Sequence, residues 1–529
     1  MALVPIIASS AADRPDTTGR PGPWVADQGD GTYRNPVLHA DYSDPDAVRV
    51  GEDYWMTSSS FSHVPGLPIL HSRDLVNWTL VGHALPELVP AEAFQTPQHG
   101  KGVWAPSIRH HAGRFWIYYP DPDHGLYLVT APHPRGPWSE PVLVKAGKGL
   151  IDPCPLWDED GRVYLVHAWA RSRAGINNVL TLLRLNADGT KVEEDLGVII
   201  NGDQVPVPGF RTLEGPKLYR RDGWYYVFAP AGGVTEGWQS VFRAKDVRGP
   251  YEHRIVLAQG STKVNGPHQG ALLDTPSGDW WFLHFQDKGA YGRIVHLQPV
   301  AWKDGWPLVG TGATTGAEKG EPVLAHAKPK LPVQPIAAPA TSDEFSAVRL
   351  GPQWQWQANP QAGWHSLTAR PGFLRLFGAG GEPGPAPYES PQLLLQKFPA
   401  PEFTVTAKLE LGTDAAGTSA GLVVFGYACK WIGLVADEKG PQLVVVEQAD
   451  VRKSKQIGTE EIARMSGAVW LRAQVSEGAV VRFSYSRDGA AFTEVPGEFQ
   501  ALQGRWVGAK IGLFAAGAGH ADFDFFRVE

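Results

Sequence analysis

Three short segments each place a carboxylic acid beside a proline or glycine in apolar surroundings. They read SDPDAV with Asp44, LIDPCPLW with Asp152 and TLEGPKLY with Glu214. Burying an unpaired carboxyl group is costly, so acids that recur in such surroundings are candidates for acid–base chemistry. One carboxyl that keeps its proton and a second that is ionised can together cleave a glycosidic bond, while a third holds their pKa values apart.

A structural role for these acids is the alternative. Asp-Pro and Glu-Gly pairs also occur as plain turn elements, in which an Asp side chain bonds nearby backbone N–H groups. Asp41 and Asp46 flank Asp44 and compete with it for the role of a base. In a strand Asp44 and Asp46 would share one face, so the spacing alone leaves the choice open.

The elements that would position these acids form a repeat. Aromatic or β-branched runs punctuated by turn residues recur along the chain, namely GEDYWMTSSS, GRFWIYYP, GRVYLVHAWA, GWYYVFAPAG and GDWWFLHFQD. The spacing of about fifty to sixty residues predicts five blades of a β-propeller. Because the first strand of every blade lies at the central axis, acids that are far apart in sequence converge there.

The domain organisation follows from where this repeat stops. We predict an all-β chain with an N-terminal extension over residues 1–30 and a five-bladed propeller over 31–309. Residues 310–341 are rich in Pro, Ala and Gly and are predicted to be a linker. Alternating strands separated by turns then predict a β-sandwich over residues 342–529.

Composition favours a neutral sugar as the partner. The net charge of −7 is spread without a basic run, which argues against nucleic acid. No apolar run reaches the roughly 20 residues of a membrane helix. The 20 Trp suit stacking on sugar rings as well as β-sheet cores. The opening ALVPIIASSAA resembles the remnant of a trimmed export signal, which favours a periplasmic or secreted location over a cytoplasmic one.

Taken together, these motifs resemble glycoside hydrolase family 43, whose members are inverting enzymes built on a five-bladed propeller. The segment YRNPVLHADYSDPDAVRV is similar to the family's first blade, which implies that Asp44 is the general base. The segment GLIDPCPLWDEDGRVYL implies that Asp152 is the residue that modulates the pKa of the acid. The segment RTLEGPKLYRRDGWYYVFAPAGG implies that Glu214 is the general acid.

The resemblance also implies four further site residues. Trp104 in GVWAPSI and Phe61 in SSSFSHVPG match aromatic residues that contact the sugar, and Arg293 in YGRIVHLQPVAW matches an arginine that reaches the sugar or the acids. His268 in NGPHQGALL matches an axial histidine that contacts a calcium ion in many members. Blade core for the two aromatic residues, an ion pair for Arg293 and a structural hydrogen bond for His268 are the alternatives.

The C-terminal segments WQWQANP and ADFDFFRVE resemble the concanavalin A-like, jelly-roll sandwich of the β-xylosidase branch. This implies an exo-acting β-xylosidase or α-L-arabinofuranosidase that trims xylan-derived or arabinoxylan-derived oligosaccharides without an organic cofactor. A loop of such a sandwich commonly leans over the propeller funnel and closes it to long chains. An exo-enzyme on arabinan or galactan and a non-catalytic carbohydrate-binding propeller are the alternatives. The sequence does not indicate an oligomeric state.

Overall fold

The computed structural model describes residues 22–378, 387–412 and 416–529. The export-signal remnant that the sequence predicts lies outside these residues. Almost all regular structure is β, and the two α-helices of the described residues, Arg171–Ala174 and Thr311–Thr315, are each about one turn long. None of the described helices is long and apolar enough to span a bilayer. The predicted all-β fold is therefore confirmed.

Five four-stranded antiparallel sheets, built within residues 46–309, form the blades of the predicted propeller. Blade 1 comprises Asp46–Val50, Asp53–Thr57, Gly66–Ser72 and Thr79–Leu85. Blade 2 comprises Ser107–His111, Arg114–Asp121, Gly125–Ala131 and Val142–Ala146. Blade 3 comprises Leu150–Trp157, Val163–Trp169, Val179–Leu185 and Val192–Asn201. Blade 4 comprises Lys217–Arg221, Trp224–Ala231, Trp238–Ala244 and Glu252–Ala258, and blade 5 comprises His268–Asp274, Trp280–Asp287, Arg293–Lys303 and Trp306–Val309.

The first strands of the blades lie side by side around the axis, and the later strands of each blade lie progressively further out. The aromatic and β-branched runs noted in the sequence are the second strands, which pack between neighbouring blades because both of their faces are covered. Short 3-10 turns at Ala91–Phe94, Gly202–Gln204 and Gly289–Tyr291 lie in the connections.

The ring of blades is closed by the segment that precedes blade 1. Thr32–Arg34 pairs antiparallel with Ala325–Ala327, and Leu38 bridges Val295 of blade 5. Asn35 donates its side-chain N–H groups to the carbonyls of Leu297 and Val323, and its Oδ1 accepts the N–H of Leu297. The segment predicted as a linker thus packs on the propeller and takes part in its closure.

The C-terminal domain is the predicted sandwich of two antiparallel sheets. One sheet runs in the order Gln355–Trp356, Leu394–Lys397, Lys510–Ala516, Ser419–Phe425, Cys429–Asp437, Gly440–Gln448 and Ile457–Arg464. The other runs in the order His365–Ser366, Leu374–Phe377, His520–Val528, Phe403–Leu411, Val469–Ser476, Val480–Ser486 and Thr493–Glu494, with Phe499–Gln500 beside Val480–Ser486. A 3-10 turn lies at Pro387–Glu389. Alternate residues of Phe403–Leu411 are buried, as expected for a strand with one face in the core.

The sandwich is docked directly on the propeller. Val64 and Trp356 form a reciprocal backbone bridge. The Asn359 side chain donates to the carbonyl of Leu88 at 2.9 Å and accepts its N–H at 2.8 Å. Tyr291 of the propeller donates its hydroxyl to the carbonyl of Pro401 at 2.8 Å. These contacts hold one end of the sandwich over the propeller axis.

We expect Asn35→Ala to lower the free energy of unfolding by about 2 kcal/mol, because three main-chain groups lose the side chain that pairs them. Urea unfolding followed by tryptophan fluorescence measures the change. Asn186→Ala is the matched control, since Asn186 makes comparable bonds inside a single hairpin turn of blade 3. An equal loss of unfolding free energy in both variants would show that closure of the ring adds no more stability than a single hairpin turn does.

Candidate active site

A pocket of about 650 Å³, including the space at its mouth, opens at the end of the axis where the first strands begin. Six of the seven residues singled out in the sequence line it: Asp44, Phe61, Trp104, Asp152, Glu214 and Arg293. The remaining wall consists of Ala105, Ile151, Thr212, Gly233, Val234, Gln269 and Trp506. The repeat thus brings acids from three blades into one cavity.

A left-handed backbone turn places these side chains. Asp44 has φ 54°, Asp152 has φ 57° and Gln269 has φ 41°, whereas residues with a Cβ rarely adopt positive φ. Asp44 lies two residues before the first strand of blade 1, whereas Asp152 and Gln269 lie at irregularities in the strand pairing near the start of the first strands of blades 3 and 5. Conformations of this kind persist where the surrounding structure imposes them, and they cluster at functional sites.

Glu214 departs from this register by one residue. The equivalent position in blade 4 belongs to Gly215, with φ 58°, and Glu214 precedes it. A Cβ at Gly215 would overlap the side chain of Gln269, so a larger residue there would have to displace that side chain. The shift by one residue lets Glu214 point into the pocket while the N–H of Gly215 faces Asp152.

The Asp44 carboxylate is surrounded by donors. Its Oδ2 accepts the hydroxyls of Ser43 at 2.8 Å and Ser59 at 2.6 Å, and its Oδ1 accepts Nη1 of Arg293 at 2.8 Å. Burial opposes the charge of Arg293, but the carboxylates of Asp44 and Asp287 outweigh it and raise the pKa of Arg293. Three donors, one of which is a cation, suit a carboxylate that acts as an acceptor.

The two competitors of Asp44 lie outside the pocket. Asp46 is fully buried below it, where its Oδ2 accepts the N–H of Ile108 at 2.8 Å and Nη1 of Arg109 at 2.7 Å. Asp41 uses both of its oxygens to accept backbone N–H groups. Of the three acids in this segment, only Asp44 lines the cavity.

A buried polar layer forms the floor of the pocket. Lys217 is fully buried and donates to the carbonyl of Pro106 and to the hydroxyl of Ser107, both at 2.8 Å, and its Nζ lies 3.9 Å from Asp46. Arg109 reaches Sγ of Cys154 at 2.8 Å. These side chains plug the axis, so the cavity is a blind pocket.

The charge of Glu214 influences the ionisation of Asp152. Burial raises the pKa of Asp152, and the neighbouring charge of Glu214 raises it further. The N–H of Gly215, which donates to Asp152 Oδ2 at 2.7 Å, and the charge of Lys217 oppose this rise. Ionisation of Asp152 is therefore disfavoured while Glu214 carries its charge.

His268, the predicted calcium contact, lies beside Glu214 and does not line the cavity. Its Nε2 is 3.1 Å from Glu214 Oε1, and its buried Nδ1 has no hydrogen-bond partner. Calcium prefers a shell of oxygen ligands, and one imidazole nitrogen does not supply that shell. In the part of the chain that the structure describes, no three His, Cys, Asp or Glu side chains are grouped to hold a metal ion. Calcium stays a prediction, and we assign no step to it.

Three aromatic side chains wall the mouth of the pocket. The ring of Trp104 lies 6.2 Å from that of Phe61 and 6.1 Å from that of Trp506, edge to face in both pairs. Phe61 is buried, whereas Trp506 is 41% exposed. Rings in this arrangement can contact the apolar face of a sugar while their edges hold one another in place.

Sequence reasoning missed two residues of the wall in particular. Trp506 comes from the sandwich, where no repeated motif marks it, although a sandwich loop was expected over the funnel. Gln269 stands at the position of Asp44 and Asp152 in blade 5, so a stricter alignment of the blade starts would have found it.

Two other cavities lack these features. One of about 1100 Å³ lies at the opposite end of the axis, and its arginines are engaged in ion pairs such as Arg49 with Asp274 and Arg220 with Asp158. The other, of about 700 Å³, lies between propeller and sandwich and is lined mainly by apolar and proline side chains. Of these three cavities, the blind pocket is thus the one that gathers several carboxylic acids.

Family comparisons agree with this geometry. Residues 33–307 match the model of the glycosyl hydrolases family 43, and residues 342–529 match that of the beta xylosidase C-terminal concanavalin A-like domain. A putative beta-xylosidase of Xylanibacter ruminicola is 38% identical over 498 residues, which cover 94% of this chain and 88% of that protein. A non-reducing end alpha-L-arabinofuranosidase of Bacteroides ovatus is 29% identical and covers 94% of both chains.

Solved structures show the same pairing of domains. The crystal structure of a xylan beta-1,4-xylosidase from Bacillus halodurans superposes with a TM-score of 0.81 at 26% identity, over 94% of this chain and 99% of that one. A family 43 protein of Bacillus licheniformis superposes with a TM-score of 0.80 at 27% identity, with the same coverage.

Replacing Glu214 by glutamine should lower the pKa of Asp152, because the charge of Glu214 is removed while burial remains. Difference infrared spectroscopy of the buried carboxylic-acid C=O stretch, followed against pH, measures this. The acid band should disappear at lower pH in the variant than in the wild type. Glu252→Gln, on the exposed edge of blade 4, is the control. An unchanged midpoint in Glu214→Gln would disprove the electrostatic link.

Proposed function

The chain belongs to the glycosyl hydrolases of family 43 and is a glycosidase that acts on a carbohydrate, and on this premise we propose an exo-acting, inverting enzyme that releases terminal β-D-xylose, α-L-arabinofuranose or both. Its substrates would be oligosaccharides derived from xylan or arabinoxylan. The observation that carries the proposal is the blind pocket, in which Asp44, Asp152 and Glu214 meet under an aromatic wall. The xylosidase and arabinofuranosidase names of the relatives support the choice of sugars.

The environments of the acids support the roles that we propose for them. Asp44, held by Arg293 and two serine hydroxyls, is the acceptor that takes a proton from the attacking water. Glu214, whose side chain is 23% exposed to the pocket, donates a proton to the leaving oxygen. Asp152 keeps that proton in the pair, because a second negative charge beside it is unfavourable.

The shape of the pocket favours removal of one terminal unit. Its floor is closed by the buried layer of Lys217 and Asp46, and one side of its mouth is narrowed by Trp506 of the sandwich. A chain can therefore enter by its end and cannot pass through. An endo-acting enzyme would need an open groove instead.

Hydrolysis of aryl β-D-xyloside and aryl α-L-arabinofuranoside tests the activity directly, and product analysis on xylobiose, arabinoxylan oligosaccharides and arabinan tests the substrate. We expect single pentose units to be released from xylobiose and from the arabinoxylan oligosaccharides. Proton NMR during the first turnovers of a β-xyloside should show α-xylose first. Early β-xylose would contradict inversion, and release of sugar from arabinan alone would favour the alternative substrate.

We expect Glu214→Gln to lower kcat by roughly 10²–10⁴-fold on xylobiose, since the leaving oxygen is no longer protonated. The loss should be much smaller on an aryl glycoside whose phenol leaves readily without protonation. Thermal melting checks that the fold is intact, and Glu252→Gln serves as the matched control. Equal losses on both substrates would rule out the assignment of Glu214 as the acid.

Asp44→Asn and Asp46→Asn should separate the two candidates for the base. The first variant should lose roughly 10²–10⁴-fold in kcat, and its melting temperature should fall as well, because Arg293 loses a buried counter-charge. The second should mainly lower the melting temperature, because Arg109 and Lys217 lose their buried counter-charge. The reverse pattern would transfer the role of base to Asp46.

A further inference from the structure

Asp41 lies buried where the propeller meets the sandwich, and only 4% of its surface is exposed. Its Oδ1 accepts the backbone N–H of Arg293 in blade 5 at 2.9 Å. Its Oδ2 accepts the backbone N–H of Gly508 in the sandwich at 2.9 Å. One carboxylate thus bonds main-chain groups of two domains.

Both bonded segments carry residues of the pocket. Arg293 extends its guanidinium to Asp44 at 2.8 Å. Gly508 follows Trp506 by two residues, and the next residue, Ala509, donates its N–H to the carbonyl of Ala290 at 2.7 Å. The loop that carries Trp506 is therefore fastened to the turn that leads into the strand of Arg293.

Close packing leaves little freedom at this junction. A Cβ at Gly292 would overlap the carboxyl group of Asp41, and a Cβ at Gly508 would overlap the backbone of Gly292. Glycine is thus needed at both positions because the two backbones approach each other so closely.

The sandwich also faces Asp41 with positive charge. Lys397 and Lys510 are partners on adjacent strands, and Lys510 is only 2% exposed. Burial lowers the pKa of both lysines, and the charge of Asp41 opposes that effect. The Nζ of Lys397 lies 5.2 Å from the ring of Tyr42, the neighbour of Asp41. An ionised carboxylate therefore has favourable partners on the sandwich side as well.

We propose that Asp41 is a positioning residue that holds the Trp506 loop and the Arg293 strand in one arrangement, so that the pocket is complete only when the two domains are docked. Asp41 does not touch the cavity, and it acts through Arg293 and Trp506. The kinetic part of this inference rests on the proposed function, whereas the docking part does not.

Asp41→Asn tests the proposal with a minimal change, because the amide keeps the shape but replaces one acceptor oxygen by a donor. We expect kcat/KM for xylobiose to fall roughly tenfold, since one buried N–H loses its partner. Asn359→Asp is the matched control: it is the reverse change at another buried residue that bonds two main-chain groups across the same interface. It should lower the melting temperature and keep kcat/KM within about twofold.

Hydrogen exchange followed by mass spectrometry gives a readout that does not depend on turnover. The peptides that contain Gly508 or Arg293 should exchange faster in Asp41→Asn than in the wild type, and should be unchanged in Asn359→Asp. Should the wild-type chain hydrolyse no pentoside, the proposed function fails, and the exchange data still decide the docking role. Wild-type exchange in both peptides of Asp41→Asn would overturn that role.

A double-mutant cycle tests the route through the sandwich loop. Trp506→Ala removes the side chain that the loop contributes to the pocket. Adding Asp41→Asn to this variant should therefore reduce kcat/KM by less than Asp41→Asn does in the wild type. Fully additive losses, or equal losses in Asp41→Asn and Asn359→Asp, would overturn the proposal. A merely destabilising substitution would give additive effects and no loop-specific exchange.

Discussion

Asp152 is buried in the pocket beside a second acid, Glu214, and its ionisation is disfavoured there. Burial and the charge of Glu214 raise the pKa of Asp152, and only the Gly215 N–H and the distant charge of Lys217 work against this. The same repulsion that is unfavourable for two carboxylates keeps a proton available for a leaving group. The backbone around the pair is shaped accordingly, since Gly215 directs its N–H to Asp152 and, without a Cβ, leaves room for the side chain of Gln269.

Much of this could be predicted from the sequence because the propeller is periodic. Strand length, turn residues and aromatic runs recur in every blade, so the fold, the common axis and the convergence of three acids follow from counting. The choice between Asp44 and Asp46 did not follow. Sequence reasoning treats Asp44 and Asp46 as residues on one face of a strand. The strand begins at Asp46, however, and Asp44 lies in a left-handed turn, to which the alternation of strand faces does not apply.

Trp506 and Asp41 show where such reasoning ends. Trp506 reaches the pocket because of how two domains dock, and no local pattern in LQGRWVGAK encodes that relation. Asp41 looked like a rival base because acids near a catalytic motif are alike in sequence. Its function as an acceptor for the N–H groups of residues 293 and 508 depends on contacts between parts of the chain separated by 252 and 467 positions.

The charges along the axis explain why the pair should hold a single proton. Arg293, Arg109 and Lys217 are cations in or below the pocket, and Asp44 and Asp46 are their direct counter-charges. Asp287 and Asp41 also face Arg293, so the cations already have carboxylates beside them, and a second negative charge on the Asp152–Glu214 pair would be poorly compensated in a medium that solvates charge poorly. The polar floor that closes the pocket therefore also favours the protonation state in which one acid of the pair can donate and Asp44 can accept.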